Sequence, residues 1–164
     1  MRHHLTSSLS EARNDTGRTA YCGPMVLSAV TGWSVSKVED AIRAYRAEIG
    51  DAEKLIEGTT TEEVSAALGV FGYELALVED FWDLEQRERP TLWQWMQKPR
   101  NAWRHYVLAV HKRREGHWIC IKGCKMSDTY TDGRWIFVAD GPHKGAKIME
   151  VFVVRQIRNR AGRR

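Results

Sequence analysis

The sequence predicts an α+β fold, and three observations carry that prediction. The helical segments fall within residues 22–96, where a single short strand joins them, and successive strand-like runs rich in Val, Ile, Tyr, Trp and Phe follow over residues 104–154. The two kinds of segment do not alternate, so the strands are expected to pair antiparallel rather than through βαβ crossovers. No repeat, low-complexity stretch or composition break divides the chain. Residues 1–164 therefore read as a single domain, with a polar lead-in over 1–18 and a basic tail over 155–164.

The first helix begins at Cys22-Gly23-Pro24, where proline near the first helical position gives up an N–H that has no partner there. Val26, Leu27, Ala29 and Val30 make this helix apolar on most sides, and Thr31-Gly32 ends it. A second helix follows, capped by Ser34 or Ser36, with Val35, Val38, Ile42 and Tyr45 at helical spacing. Residues 47–58 are polar and read as a loop. Thr59-Thr60-Thr61-Glu62-Glu63 opens a third helix with a threonine cap and first-turn glutamates, and Gly69 or Gly72 stops it. Tyr73 to Val78 reads as a strand, Glu79 to Pro90 as a long connection or irregular helix, and Thr91 to Met96 as a short helix. Four strands are then expected over residues 104–110, 117–122, 134–139 and 148–154.

A hydrophobic content of 43% and a charged content of 28% are those of an ordinary globular protein. No run reaches the length of a membrane span, and the first residues lack an apolar signal core, so neither a membrane association nor a cleaved signal is expected. Three cysteines, an odd number, point to reduced thiols rather than a disulfide scaffold. The net charge of +4 draws on Arg155, Arg158, Arg160, Arg163 and Arg164, which read as a solvated terminus. No nucleic-acid partner is expected. Gly-rich phosphate loops are absent, so no cofactor is expected either.

Chemistry concentrates on three positions. Cys22 stands at the N-terminus of a buried helix, where the helix dipole favours thiolate. His117 begins a strand, and Asp140 ends the next one before Gly141-Pro142. A hairpin turning at Ser127-Asp128-Thr129 would pair residues whose numbers total 257, which sets His117 opposite Asp140. A thiol nucleophile needs an imidazole to exchange its proton, and the imidazole needs a carboxylate to orient it. His117, Cys120 and Cys124 do not make a metal site, because successive strand residues face opposite ways. Cys120 reads as core and Cys124 as a loop thiol. His105 and His111 read as edge residues, and His143 as the rival base in a less rigid loop. Trp93, Trp95 and Trp103 are candidates for the wall of a groove.

Cys22-Gly23-Pro24 opening an apolar helix, Gly116-His117-Trp118-Ile119-Cys120-Ile121, and Val138-Ala139-Asp140-Gly141-Pro142 together resemble the papain-like cysteine peptidases. The pattern is nearest to the bacteriocin leader-processing type and phage-encoded relatives. The resemblance implies a helical lobe carrying Cys22 packed on an antiparallel sheet. It also implies a Cys22 nucleophile, a His117 general base and acid, and an orienting Asp140. Such peptidases place a glutamine six residues before the cysteine to help hold the oxyanion. Thr16 stands there, and Asn14 carries an amide two residues earlier, so these two are the oxyanion candidates. Two expectations follow from the resemblance. One is a thiol hydrolase acting on a peptide or protein substrate. The other is a papain-like fold without turnover, serving as a structural component with a virion or other protein partner. The corresponding location is cytoplasmic or virion-associated.

Overall fold

In the computed structural model, which describes residues 9–51, 55–112 and 115–157, the apolar helix that starts at Cys22 packs against the other two long helices and the sheet. This helix, α1 (Cys22–Thr31), is buried from Gly23 to Thr31 and ends at Gly32, whose N–H bonds the Ser28 carbonyl at 2.9 Å. Helix α2 (Val35–Glu48) starts after Ser34, but the hydroxyl of Ser34 does not cap it. Asp15 does so from the lead-in, with Oδ1 accepting from the Ser36 N–H at 2.9 Å and Oδ2 from the Ser36 hydroxyl at 2.6 Å. Helix α3 (Thr61–Val70) carries the expected capping box, Thr60 and Glu63 each satisfying the other's backbone N–H.

The sheet consists of β1 (Tyr73–Asp80), β2 (His105–Lys112), β3 (Glu115–Lys122), β4 (Lys125–Ser127), β5 (Ile136–Phe137) and β6 (Lys147–Gln156). Its spatial order is β1-β6-β2-β3-β4-β5, and every described pairing is antiparallel. The alternation of strand side chains sorts the core into two layers. Val107, Ala109, Trp118, Cys120, Phe152 and Val154 pack against α1, α2 and α3. Tyr106, Leu108, Val110, Ile119, Ile121, Val151 and Val153 face the opposite way. There Leu92 and Trp95 of the short helix α4 (Leu92–Met96) cover them. The chain is α+β, with a helical layer packed on an antiparallel sheet. No described helix is long and apolar enough to cross a membrane.

The sheet departs from expectation after β3. The strand expected over 134–139 shrinks to Ile136–Phe137, followed by a 3-10 turn over Val138–Asp140. Strand β3 instead turns at Gly123-Cys124 and pairs with β4, Cys120 opposite Ser127 and Lys122 opposite Lys125. Gly123 has φ +59, a conformation glycine adopts without penalty and which so tight a turn requires. Because β4 is three residues long, it covers only the Cys120–Lys122 part of β3. The stretch around His117 and Trp118 is left unpaired on that side, and α1 approaches it there.

Arg155 is described and exposed, while the remaining arginines of the tail lie outside the described residues.

Candidate active site

Cys22 is half-buried at the first position of α1, beside the unpaired part of β3. His117 and the backbone N–H groups of Trp118 and Gly23 stand close enough to its sulfur to favour the thiolate. Burial pushes the thiol pKa up. The His117 contact, the two N–H groups and the imidazolium charge outweigh burial and bring it below the ordinary thiol value. Gly23 is required by close packing: a Cβ there would collide with the Thr59 side chain, so the loop before α3 fits against α1 only with glycine at this position.

His117 is held from its other side. Its Nε2 donates to Asp128 Oδ2 at 2.8 Å, which leaves Nδ1 for the Cys22 thiol. Burial pushes the imidazole pKa down, but the hydrogen bonds and charges of Asp128 and Cys22 raise it to about 9. Asp128 is fully buried and follows β4 directly. Its Oδ1 accepts the Thr131 N–H at 3.0 Å, the cap of the 3-10 turn over Thr129–Thr131. Burial pushes its carboxyl pKa up, yet His117 and His143 bring it to about 2, so it stays ionised. Cys22, His117 and Asp128 therefore form one connected chain from thiol to imidazole to carboxylate.

The carboxylate at His117 is Asp128 and not Asp140. Asp140 is exposed in its 3-10 turn, and the expected hairpin register does not form because the turn falls at Gly123-Cys124. Extending the β3–β4 register by one step sets Asp128 opposite Ile119 and so diagonally across from His117, within reach of an extended side chain. Two signals in the sequence point this way. Lys122-Gly123-Cys124-Lys125 is a two-residue turn with glycine, and Asp128 stands three residues beyond it, directly after Lys125-Met126-Ser127.

The oxyanion candidates lie elsewhere. Asn14 Nδ2 donates to the Arg18 carbonyl at 2.7 Å, and the Thr16 hydroxyl donates to Asn14 Oδ1 at 2.6 Å, so both side chains serve their own turn. Neither lines the Cys22 cleft. The N–H of Cys22, in the first turn of α1, has no intrahelical acceptor.

The cleft beside the sulfur has a volume of about 380 Å³. Trp118, Ala109 and Met149 form its apolar side, the Gly58-Thr59-Thr60 loop forms another, and Trp82, Glu57, Glu62 and Glu150 line its rim. Trp82 and Trp118 are thus the tryptophans that wall the groove. Trp95 is buried against Tyr106 instead, and Trp93 and Trp103 are exposed away from the cleft. Two histidines also differ from expectation. His105 is buried, and that burial, with the Lys122 charge, lowers its pKa to about 4. His143 is buried beside Asp128, its Nε2 2.6 Å from Oδ2. Of the other thiols, Cys120 is in the core, where burial raises its pKa, and Cys124 is exposed.

His117, Asp128 and His143 offer three potential metal-ligand atoms within 4.8 Å of one another. Two ligand atoms sharing a tetrahedral zinc at about 2.0–2.2 Å sit roughly 3.3 Å apart. The separations of 2.8 and 2.6 Å from the shared carboxylate oxygen are shorter than that, too close for ligands of one ion, and the 2.8 Å contact is the His117 hydrogen bond.

No protein-family model and no curated protein matches the chain. Among solved structures it is similar to the peptidase domain of Streptococcus ComA, a bi-functional ABC transporter involved in a quorum-sensing pathway. The TM-score is 0.53 at 13% identity, covering 89% of this chain and 96% of that domain. At that identity the likeness speaks to the fold alone: the chain has a papain-like peptidase fold.

Proposed function

We propose that the protein is a thiol hydrolase that cleaves an amide bond of a peptide or protein through Cys22, His117 and Asp128. The observation that carries this reading is the thiol–imidazole–carboxylate chain, in which the direct bond from His117 to a fully buried Asp128 measures 2.8 Å. The likeness in fold to a peptidase domain supports it. In the reaction, the Cys22 thiolate attacks the carbonyl carbon and the C=O electron pair moves onto oxygen, where the Cys22 N–H faces the developing charge. Collapse of this intermediate expels the amine, which takes its proton from the His117 imidazolium. Neutral His117 then accepts a proton from the water that attacks the thioester, and release of the acid restores the thiol pair. Asp128 orients the ring and stabilises its charged form throughout.

The test is hydrolysis of a peptide library by the full chain and by Cys22→Ala. The expected outcome is loss of turnover in a variant that melts like the parent, and undiminished turnover in Cys22→Ala sinks the proposal.

One observation favours a second reading, a papain-like fold that binds without turnover: Asn14 and Thr16 are both occupied in their own turn and bring no side-chain donor to the oxyanion. Thiol alkylation across pH separates the two readings. An activated Cys22 reacts well below the ordinary thiol pKa of about 8.5, and a binding fold has no cause to activate it.

A further inference from the structure

His143 takes part in no step of this reaction, yet it is among the largest fully buried side chains of the protein. Its Nε2 lies 2.6 Å from Asp128 Oδ2, the same oxygen that accepts from His117. The approach is bent, so the N–H does not make a full hydrogen bond, but its dipole acts on the carboxylate at short range. The other ring nitrogen, Nδ1, is buried without a partner among the described residues. The proton therefore belongs on Nε2, because the alternative tautomer would set a lone pair 2.6 Å from an ionised carboxylate oxygen.

The setting of the ring is rigid. The His143 carbonyl accepts the Ala146 N–H at 2.9 Å, and the Ala146 and Lys144 carbonyls accept from Leu92 and Trp93 of α4. Tyr130 places edge-on contacts against both imidazoles, with centroids 5.3 Å from His117 and 4.9 Å from His143. With Oδ1 engaged by the Thr131 N–H, Oδ2 is the atom that both histidines share.

We propose that His143 is a positioning residue: by setting its Nε2 edge against Asp128 Oδ2 from a fixed loop, it holds the carboxylate where His117 can pair with Cys22. This rests on the reading of Cys22 and His117 as a reactive pair. It makes the device at Asp128 a shared carboxylate between two imidazoles rather than a simple row of three groups. Only one of the two imidazoles meets the thiol.

The experiment uses the full chain and iodoacetamide as the probe, with alkylation of Cys22 followed by mass spectrometry at neutral pH. His143→Leu fills the space without a donor, and His143→Gln offers an amide N–H to the same oxygen. The expected result is an alkylation rate about tenfold or more below the parent for His143→Leu and near the parent for His143→Gln, as for partners that orient a reacting group. A His143→Leu rate equal to the parent's, or equal losses in two variants that melt like the parent, overturns the proposal. Because His143→Leu can fail to fold, nitrogen-15 NMR of the imidazoles in the unmodified chain supplies an independent criterion. The Nε2–H tautomer is expected at His143, and the Nδ1–H tautomer overturns the proposal. A parent Cys22 that alkylates like a free thiol counts against the proposed function instead, and the tautomer still decides on His143.

Discussion

Replacing Asp128 tests the site most directly, because Asp128 and Asp140 make opposite predictions. The His117 pKa rises from an ordinary 6.5 to about 9 against the opposing effect of burial. At about 1.4 kcal/mol per unit, this corresponds to a preference of about 3 kcal/mol for the imidazolium, supplied jointly by Asp128 and Cys22. Asp128→Asn keeps an acceptor for Nε2–H but removes the charge. The descending alkaline limb of Cys22 alkylation by iodoacetate, set in the parent near pH 9 by loss of the imidazolium that attracts this anion, is expected to move down by about one unit. Asp128→Ala removes charge and orientation together and is expected to cost about a hundredfold or more in turnover. Asp140→Asn, at an exposed turn, is expected to leave rate and limb unchanged within about twofold. The assay is the iodoacetate rate constant from pH 5 to 10, with melting curves to show that each variant is folded. A collapse in Asp140→Asn beside a parent-like Asp128→Asn refutes the assignment.

Three further outcomes follow from the same geometry. His117 has its pKa raised on folding, so the stability it contributes is complete below about pH 6.5 and is lost as pH rises through about 9; Asp128, lowered to about 2, contributes stability above about pH 4 that is lost as pH falls through about 2. Comparing unfolding of the parent with His117→Ala across pH should show the first of these as a difference that shrinks between pH 6.5 and 9. Gly23→Ala drives a methyl into Thr59 and is expected to cost about 1–3 kcal/mol and to slow Cys22 alkylation, with Thr59→Gly restoring both in the double variant. Arg46→Ala leaves the buried Glu63 carboxylate without the guanidinium that bonds it at 2.6 Å, and chemical denaturation should show a loss of about 3–5 kcal/mol.

Much of this fold was legible because local chemistry and tertiary packing agree. The apolar run after Cys22 became a buried helix, the Thr60–Glu63 box opened α3, and Val, Ile and aromatic alternation located β2, β3 and β6. The site was less legible at one residue, for a reason of register. Turn-forming residues cluster both at Gly123-Cys124 and at Ser127-Asp128-Thr129, and the choice between them decides which carboxylate reaches His117. A three-residue strand such as β4 carries little periodicity of its own, so nothing local favoured the tighter turn except Gly123. The N-cap of α2 illustrates the same limit. Ser34 has the right chemistry, but the bonding atoms belong to Asp15, brought near by tertiary folding.

Cys22 and His117 lie on different layers and far apart in the chain, and they meet only where α1 packs against the uncovered part of β3. Contacts between such distant segments form late in folding, once loop-closure entropy has been met. During synthesis Cys22 emerges long before β3 and β4 exist, and until they dock its thiol has neither imidazole nor strand N–H to stabilise its anion. In the nascent chain Cys22 therefore reacts only as an ordinary thiol. Appearance of a reactive Cys22 marks completed assembly of the domain, which makes its alkylation a clock for folding as well as a probe of the site.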